Sequence, residues 1–268
     1  MKLPVFFMGH GAAILSLNEN YSTNKALTTV GREEFEKIAN LDEVKCIIVI
    51  SAHYETSHTF TIGIKDKPAT IHDHPARDLY HITYNTPVGA KEIGLNLFNQ
   101  LTNKGIKVLA DERKDLDHGS WLPPLLLYPN PTKPILPLSI LSNHDIINHV
   151  EFGESLSSLR EEGYLFIGSG GLTHNQQIFR ENYFAGIFDP NTSPDWNNEF
   201  EDNVITSHNN YNLLSLLQNK SKLTQAHPTL DHLLPFCICS GLGGRGSKAS
   251  FVSRSYQPGL STSLLKIE

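Results

Sequence analysis

Apolar residues in this chain gather into short continuous runs, each ending abruptly in small or polar residues. Cys46-Ile47-Ile48-Val49-Ile50 is rich in β-branched side chains and reads as a strand buried on both faces. Ser51-Ala52-His53-Tyr54 follows at once, setting a histidine just beyond the strand's carboxyl end. Leu3 to Met8 runs into Gly9-His10-Gly11, and Tyr164 to Ile167 into Gly168-Ser169-Gly170 and then Thr173-His174-Asn175. Ile135 to Ile140 is a further buried strand, with His144 a short turn beyond it. Weaker strand patterns occupy Thr59 to Ile64, Ile106 to Ala110, Phe251 to Arg254 and Thr262 to Ile267.

Between these runs the period changes from strand to helix. Phe35 and Ile38 mark an amphipathic helix over Thr28 to Asn40, and Ile93, Leu97 and Leu101 another over Ala90 to Lys104, stopped by Gly105. His149 to Glu162 reads as a helix closed by Gly163, and Pro228 to Pro235 as the opening of a last one, with Thr229 as its N-cap. The stretch 175–222 predicts helices lying over the sheet. Thr70 to Gly89, dense in His, Tyr and Pro, predicts a long loop forming a wall or lid. There is no repeat or linker. The expectation is one α/β domain over 1–268, with a central mostly parallel or mixed sheet flanked by helices. Ligands of such open sheets bind at the carboxyl rim of the strands.

Composition narrows the chemistry. With 39% hydrophobic and 19% charged residues, the chain can build an ordinary soluble core. A net charge of -6 without a basic block argues against a nucleic-acid partner. No run is long enough to cross a membrane and no signal peptide is evident, and three cysteines imply no disulfide framework, so a cytoplasmic monomer or homodimer is expected. The unusual figure is 13 histidines.

A single histidine is ordinarily a surface or core residue. His10, His53, His118, His174 and His232 share a context that shifts this reading, because each lies in a loop or at a helix start, four of them beside Gly, Ala or Asp and His174 shortly after the Gly168-Ser169-Gly170 turn. Gathering imidazoles at one rim is costly if two are protonated, at about 4 kcal/mol for a 4 Å separation. A divalent cation reverses that sign, so the cluster predicts a metal site at the carboxyl ends of the strands. His58, His81, His144, His149 and His208 sit in polar or helical surroundings and carry no such implication, and His72 and His74 fall between. Gly241-Leu242-Gly243-Gly244-Arg245-Gly246 has the letters of a nucleotide-binding loop, but it follows a helix and precedes a strand, and therefore reads as a turn. Cys237 and Cys239 read as core thiols, and Ser169 lacks the spacing of a nucleophile elbow.

Taken together, Gly9-His10-Gly11, Ser51-Ala52-His53, Asp117-His118-Gly119-Ser120-Trp121, Thr173-His174-Asn175 and Asp231-His232-Leu233-Leu234-Pro235 resemble the class III extradiol ring-cleavage dioxygenases, in their LigB-like, DOPA 4,5-dioxygenase branch. The resemblance implies a non-haem Fe(II) centre and insertion of both atoms of O2 into a catechol. It implies metal-ligand positions at His10, His53 and His232. It places His174 at the metal's edge as acid/base or further ligand, and His118 as a second active-site histidine. Tyr54, His72 and Trp121 are candidates to wall the substrate, with Tyr80 and Tyr84 beside them. Ala12-Ala13 replaces the family's usual Ser-Pro, and His74 stands where an aromatic or glycine-rich stretch is common, so both departures bear on the substrate. An all-histidine ligand set also suits Zn(II). Two rival readings follow: a zinc-dependent hydrolase, and a non-catalytic Memo-like protein, against which the absence of cysteine at position 232 weighs.

Overall fold

The computed structural model describes residues 1–18, 27–187 and 195–268. Its strands are β1 (Val5–Gly9), β2 (Cys46–Thr56), β3 (Thr61–Gly63), β4 (Leu109–Asp111), β5 (Ile135–Leu141), β6 (Tyr164–Gly170), β7 (Ala249–Ser253), β8 (Tyr256–Gln257), β9 (Leu260–Ser261) and β10 (Leu264–Ile267). The α-helices are α1 (Ala13–Ser16), α2 (Arg32–Ala39), α3 (Ala90–Asn103), α4 (His118–Leu127), α5 (Ile146–Ser155), α6 (Gln176–Phe184), α7 (Asp195–Asn209), α8 (Lys220–Ala226) and α9 (Leu234–Gly243). Eight strands form one sheet in the order β4-β3-β5-β2-β6-β1-β10-β7, and β8 pairs with β9 apart from it. Strands β5, β2, β6 and β1 run parallel, and the antiparallel β10–β7 pair extends the edge beyond β1. The fold is therefore α/β with a mixed sheet whose centre is parallel.

Continuous apolar strands follow from burial on both faces. Phe7, Ile48, Ile50 and Phe166 pack with α3, α5, α7 and α9 through Leu97, Phe152, Phe200 and Phe236. Phe6, Met8, Ile47, Val49 and Ile167 face the opposite layer, with Phe35 of α2 and Trp121 and Leu122 of α4. Neighbouring residues of one strand thus serve different cores, as the two-residue strand period requires.

Several local expectations are corrected. Strand β2 does not end at Ile50 but continues to Thr56, and its pairing with β5 breaks between Ile50 and Glu55. Such irregularities re-aim side chains near functional sites, and His53 lies within this one. The helix expected from His149 begins at Ile146, where the Asp145 side chain accepts from the backbone N–H groups of Ile147 and Asn148. It gives way to a 3-10 turn at Ser157–Glu161 before Gly163. Thr229 is not a cap: residues 228–233 form turns, and α9 starts at Leu234 with Pro235 in its first turn. Part of the expected helical region, 188–194, lies outside the described residues.

Two buried histidines outside the five singled out above carry a stability prediction. The backbone N–H of Leu141 donates to His149 Nε2 at 3.0 Å, while His149 Nδ1–H donates to the Asp145 carbonyl at 2.5 Å. Both nitrogens are committed to the neutral ring. Burial lowers His149 from 6.5 to about 4, and likewise His208, which lies between Ser240 and Ser247. Above about pH 6.5 both rings are neutral, folded or unfolded, and their contribution is complete. As the pH falls toward 4 the unfolded chain binds protons that the folded chain refuses, so stability is lost, by ~3 kcal/mol per ring at most. Urea unfolding at pH 7 and pH 5 is expected to show this loss, with His149→Gln shrinking it by about 2 kcal/mol. A loss equally large in that variant would refute the assignment.

Candidate metal and catalytic site

Three adjacent parallel strands, β2, β6 and β1, present their carboxyl ends to one cavity of about 460 Å³. His10 leaves the end of β1, and His53 projects from the irregular part of β2. His174 lies four residues beyond β6, and His232 sits in the turn before α9. The wall includes all four and His118, the first residue of α4.

His53 Nε2 lies 3.2 Å from His10 Nε2 and 3.2 Å from His232 Nε2, although 43 and 179 positions of sequence separate these pairs. Each ring's other nitrogen faces an oxygen. His10 Nδ1 is 3.0 Å from Ser169 Oγ, His232 Nδ1 donates to the Asp231 carboxylate, and His53 Nδ1 lies 3.7 Å from Asp73 Oδ2. Protons held on the outer nitrogens leave the inner Nε2 lone pairs to converge. Burial, then the neighbouring imidazoles, keeps His10 and His232 well below the ordinary histidine value. Burial, then His118, lowers His53 to about 4 despite the pull of Asp117, Asp73 and Asp231. Three neutral donors with orienting partners behind them fit a divalent transition metal, in the outer-shell arrangement that fixes imidazole ligands.

His174 and His118 flank this triad. The His174 ring stacks on His232 with centroids 3.4 Å apart, and its donor atom groups with Asp231 and His232 but not with the His10–His53–His232 set. Burial lowers it to about 3, against the opposing pull of Asp231. The ring is therefore held neutral at the triad's edge. His118 is held on the other side: Asp73 Oδ1 accepts from both its backbone N–H and its Nδ1–H at 2.8 Å. Burial raises the Asp73 carboxyl, but hydrogen bonds and charge from His118 outweigh it and hold the group below the usual carboxylate range.

Local sequence explains how these side chains are delivered. Asp117 caps α4 by accepting from the backbone N–H of Ser120, and it also accepts from Ser51 Oγ at 2.6 Å, tying the helix start to β2. A Cβ on Gly119 would lie 2.3 Å from Ser51 Oγ, so only glycine lets His118 approach His53 this closely. Likewise a Cβ on Gly170 would meet the His232 carbonyl at 2.2 Å, and that close approach carries the His232 turn onto β6.

Of the three predicted substrate-wall residues, none lines the cavity. Tyr54 follows His53 on a strand and therefore faces the other way, with the Lys114 ammonium 4.1 Å from its ring centroid. Trp121 is fully buried, and its indole N–H donates to the Ile71 carbonyl at 2.9 Å. His72 stacks on Tyr80 behind His74, which does reach the cavity. Tyr84 donates to the Tyr128 carbonyl in the core. The actual wall includes Asp73, His74 and the face of α6 carrying Gln176, Phe179, Arg180 and Tyr183. Sequence reasoning missed Asp73, Asp231 and Arg180; the available signals were the acids adjoining His72 and His232 and the four-residue step from Gln176 to Arg180.

Residues 4–263 match the family described as the catalytic LigB subunit of aromatic ring-opening dioxygenase. A 4,5-DOPA dioxygenase extradiol of Beta vulgaris is 31% identical over 262 residues, 95% of this chain and 92% of its own length. The protein of that name from Escherichia coli K12 is 28% identical, covering 90% of this chain and 85% of its own. The crystal structure of an uncharacterized E. coli K12 protein shares the fold with a TM-score of 0.76 at 23% identity, covering 99% of this chain and 100% of that one.

Proposed function

The chain belongs to the LigB family of aromatic ring-opening dioxygenase catalytic subunits, and from that premise we propose that it opens catechols by extradiol cleavage with O2, using iron(II) held by His10, His53 and His232. The observation that carries this reading is the meeting of three neutral Nε2 donors at the base of a cavity, flanked by two further histidines. Iron(II) held by these residues would relay electrons from a bound catechol to O2, with no net change in the metal's oxidation state.

The protein's own groups bind, orient and move protons. His174, neutral and facing the cavity, accepts a proton from a catechol hydroxyl and returns it as the ring opens, leaving no net proton on the enzyme. General acid–base help of this kind is typically worth about 10²–10⁴-fold. His118, with its Nδ1–H given to Asp73, presents Nε2 to the substrate side. Leu260, Phe179 and Ile14 wall the cavity and exclude water from the reacting ring.

Asp73 positions His118. Asp73→Asn keeps one accepting oxygen but sets an amide donor against a nitrogen that carries a proton. It is expected to lower kcat of the metal-saturated protein by about 10–100-fold and, because Asp73 Oδ2 also stands 3.7 Å from His53 Nδ1, to weaken metal retention as well. Equal turnover in the variant would show that the clamp is dispensable.

The function itself is tested by loading metal-free protein anaerobically with Fe(II) or Zn(II), admitting air, and following O2 uptake with a panel of catechols. Consumption of one O2 per catechol with iron alone, with a yellow ring-opened product, is the expected result. Turnover of esters or amides by the zinc form, with catechols untouched, would establish a hydrolase instead.

A further inference from the structure

Helix α6 leaves the site directly after His174, capped by the Asn175 side chain, which accepts from the Ile178 backbone N–H. None of its nine residues is buried, so core packing contributes little to it. Its residues 176, 179, 180 and 183, spaced three and four apart, share one face. All four line the cavity. Arg180 lies one turn beyond Gln176, about 6 Å along the helix axis. The helix runs outward, toward Phe184 and Ile187, which are exposed.

We propose that Arg180, steadied by Gln176, receives a carboxylate on the side chain of the catechol and so selects anionic catechols over neutral ones. The inference rests on the ring-opening reading and adds the substrate's charge to it. Among the described residues Arg180 is the one lysine or arginine on the cavity wall. Its Nη2 donates to Gln176 Oε1 at 3.3 Å, and no carboxylate of the described residues pairs with it. The adjacent acid, Glu181, accepts from Gln177 Nε2 at 2.9 Å instead. A guanidinium has five N–H donors in a fork that matches a carboxylate, and among the described residues the exposed Arg180 side chain pairs with Gln176 alone. The cavity also has room to spare, since about 460 Å³ lies in the range that holds ligands larger than a single ring. A catechol with its hydroxyls at the histidines then has room for a substituent on the α6 side of the cavity.

The test is anaerobic titration calorimetry of the Zn(II)-loaded protein with 3-(3,4-dihydroxyphenyl)propionate and with 4-methylcatechol. The wild type is expected to bind the propionate about tenfold more tightly, the size of one charge-assisted contact. Arg180→Gln brings the two affinities within about twofold, Arg180→Lys keeps part of the difference, and added salt erodes it in the wild type. A wild-type ratio near one, or a ratio that survives Arg180→Gln, overturns the proposal. If both catechols bind equally and the iron form still opens them, the role of Arg180 alone is lost. If neither binds and the iron form opens none, the ring-opening reading falls and takes this inference with it.

Discussion

His53→Ala is expected to leave a folded protein that no longer retains metal and no longer opens catechols. His53 is the middle donor of the triad, with its Nε2 3.2 Å from each of the other two. Removing it leaves two imidazoles, and even the loss of an outer-shell partner typically costs about 10–100-fold in metal affinity. Loss of a ligand should exceed that range. The fold has no comparable stake in this ring, which lies at an interrupted stretch of the β2–β5 ladder rather than in either core. Metal analysis after dialysis, paired with thermal unfolding, checks both halves. The wild type should gain Tm on adding metal, because an ion that binds only the folded state stabilises it, and the variant should not. Stoichiometric metal in His53→Ala would remove His53 from the ligand set.

His174→Ala is expected to do the opposite: metal stays and turnover goes. The ring stacks on His232 but stands outside the converging triad, so its removal leaves three donors in place. What disappears is the neutral base at the cavity edge, for a fall in kcat of about 10²–10⁴-fold. His174→Gln keeps a polar group there yet cannot carry the proton, and its kcat should stay within about tenfold of the alanine variant's, a smaller difference than acid–base help itself is worth. Metal content, kcat and KM measured on the same preparations decide the matter. Loss of metal along with activity would make His174 a fourth ligand, and unchanged kcat would leave the proton to another group. The two substitutions together separate holding the ion from moving the proton.

Much of this was legible before any coordinates. The runs ending at Met8, Ile50 and Ile167 mark buried parallel strands because two-sided burial suppresses polar alternation. The histidines that follow them were therefore expected at one rim. The Asp117–Trp121 segment shows its histidine locally, but the helix it opens, capped by Asp117 and carrying Pro123 and Pro124, is not apparent from the sequence.

Other features were out of reach. Tyr54 and Trp121 are aromatic and close in sequence to site histidines, yet one sits on the far face of β2 and the other inside the core beneath Ile71. Their direction depends on where β2 breaks its pairing and how α4 lies on it, which neighbouring residues do not encode. Asp73 is one acid in a long loop until the fold lays that loop against the start of α4.

The sequence by itself thus determined the elements, the α/β class and which histidines stand at strand ends, since hydrophobic periodicity acts over a few residues and each window carries its own signal. Only the tertiary structure decided which nitrogens meet, which acids orient them and which helix face closes the cavity. Those contacts join residues as far apart as His53 and His232, and their geometry depends on strand order, register and close backbone approach across the whole sheet.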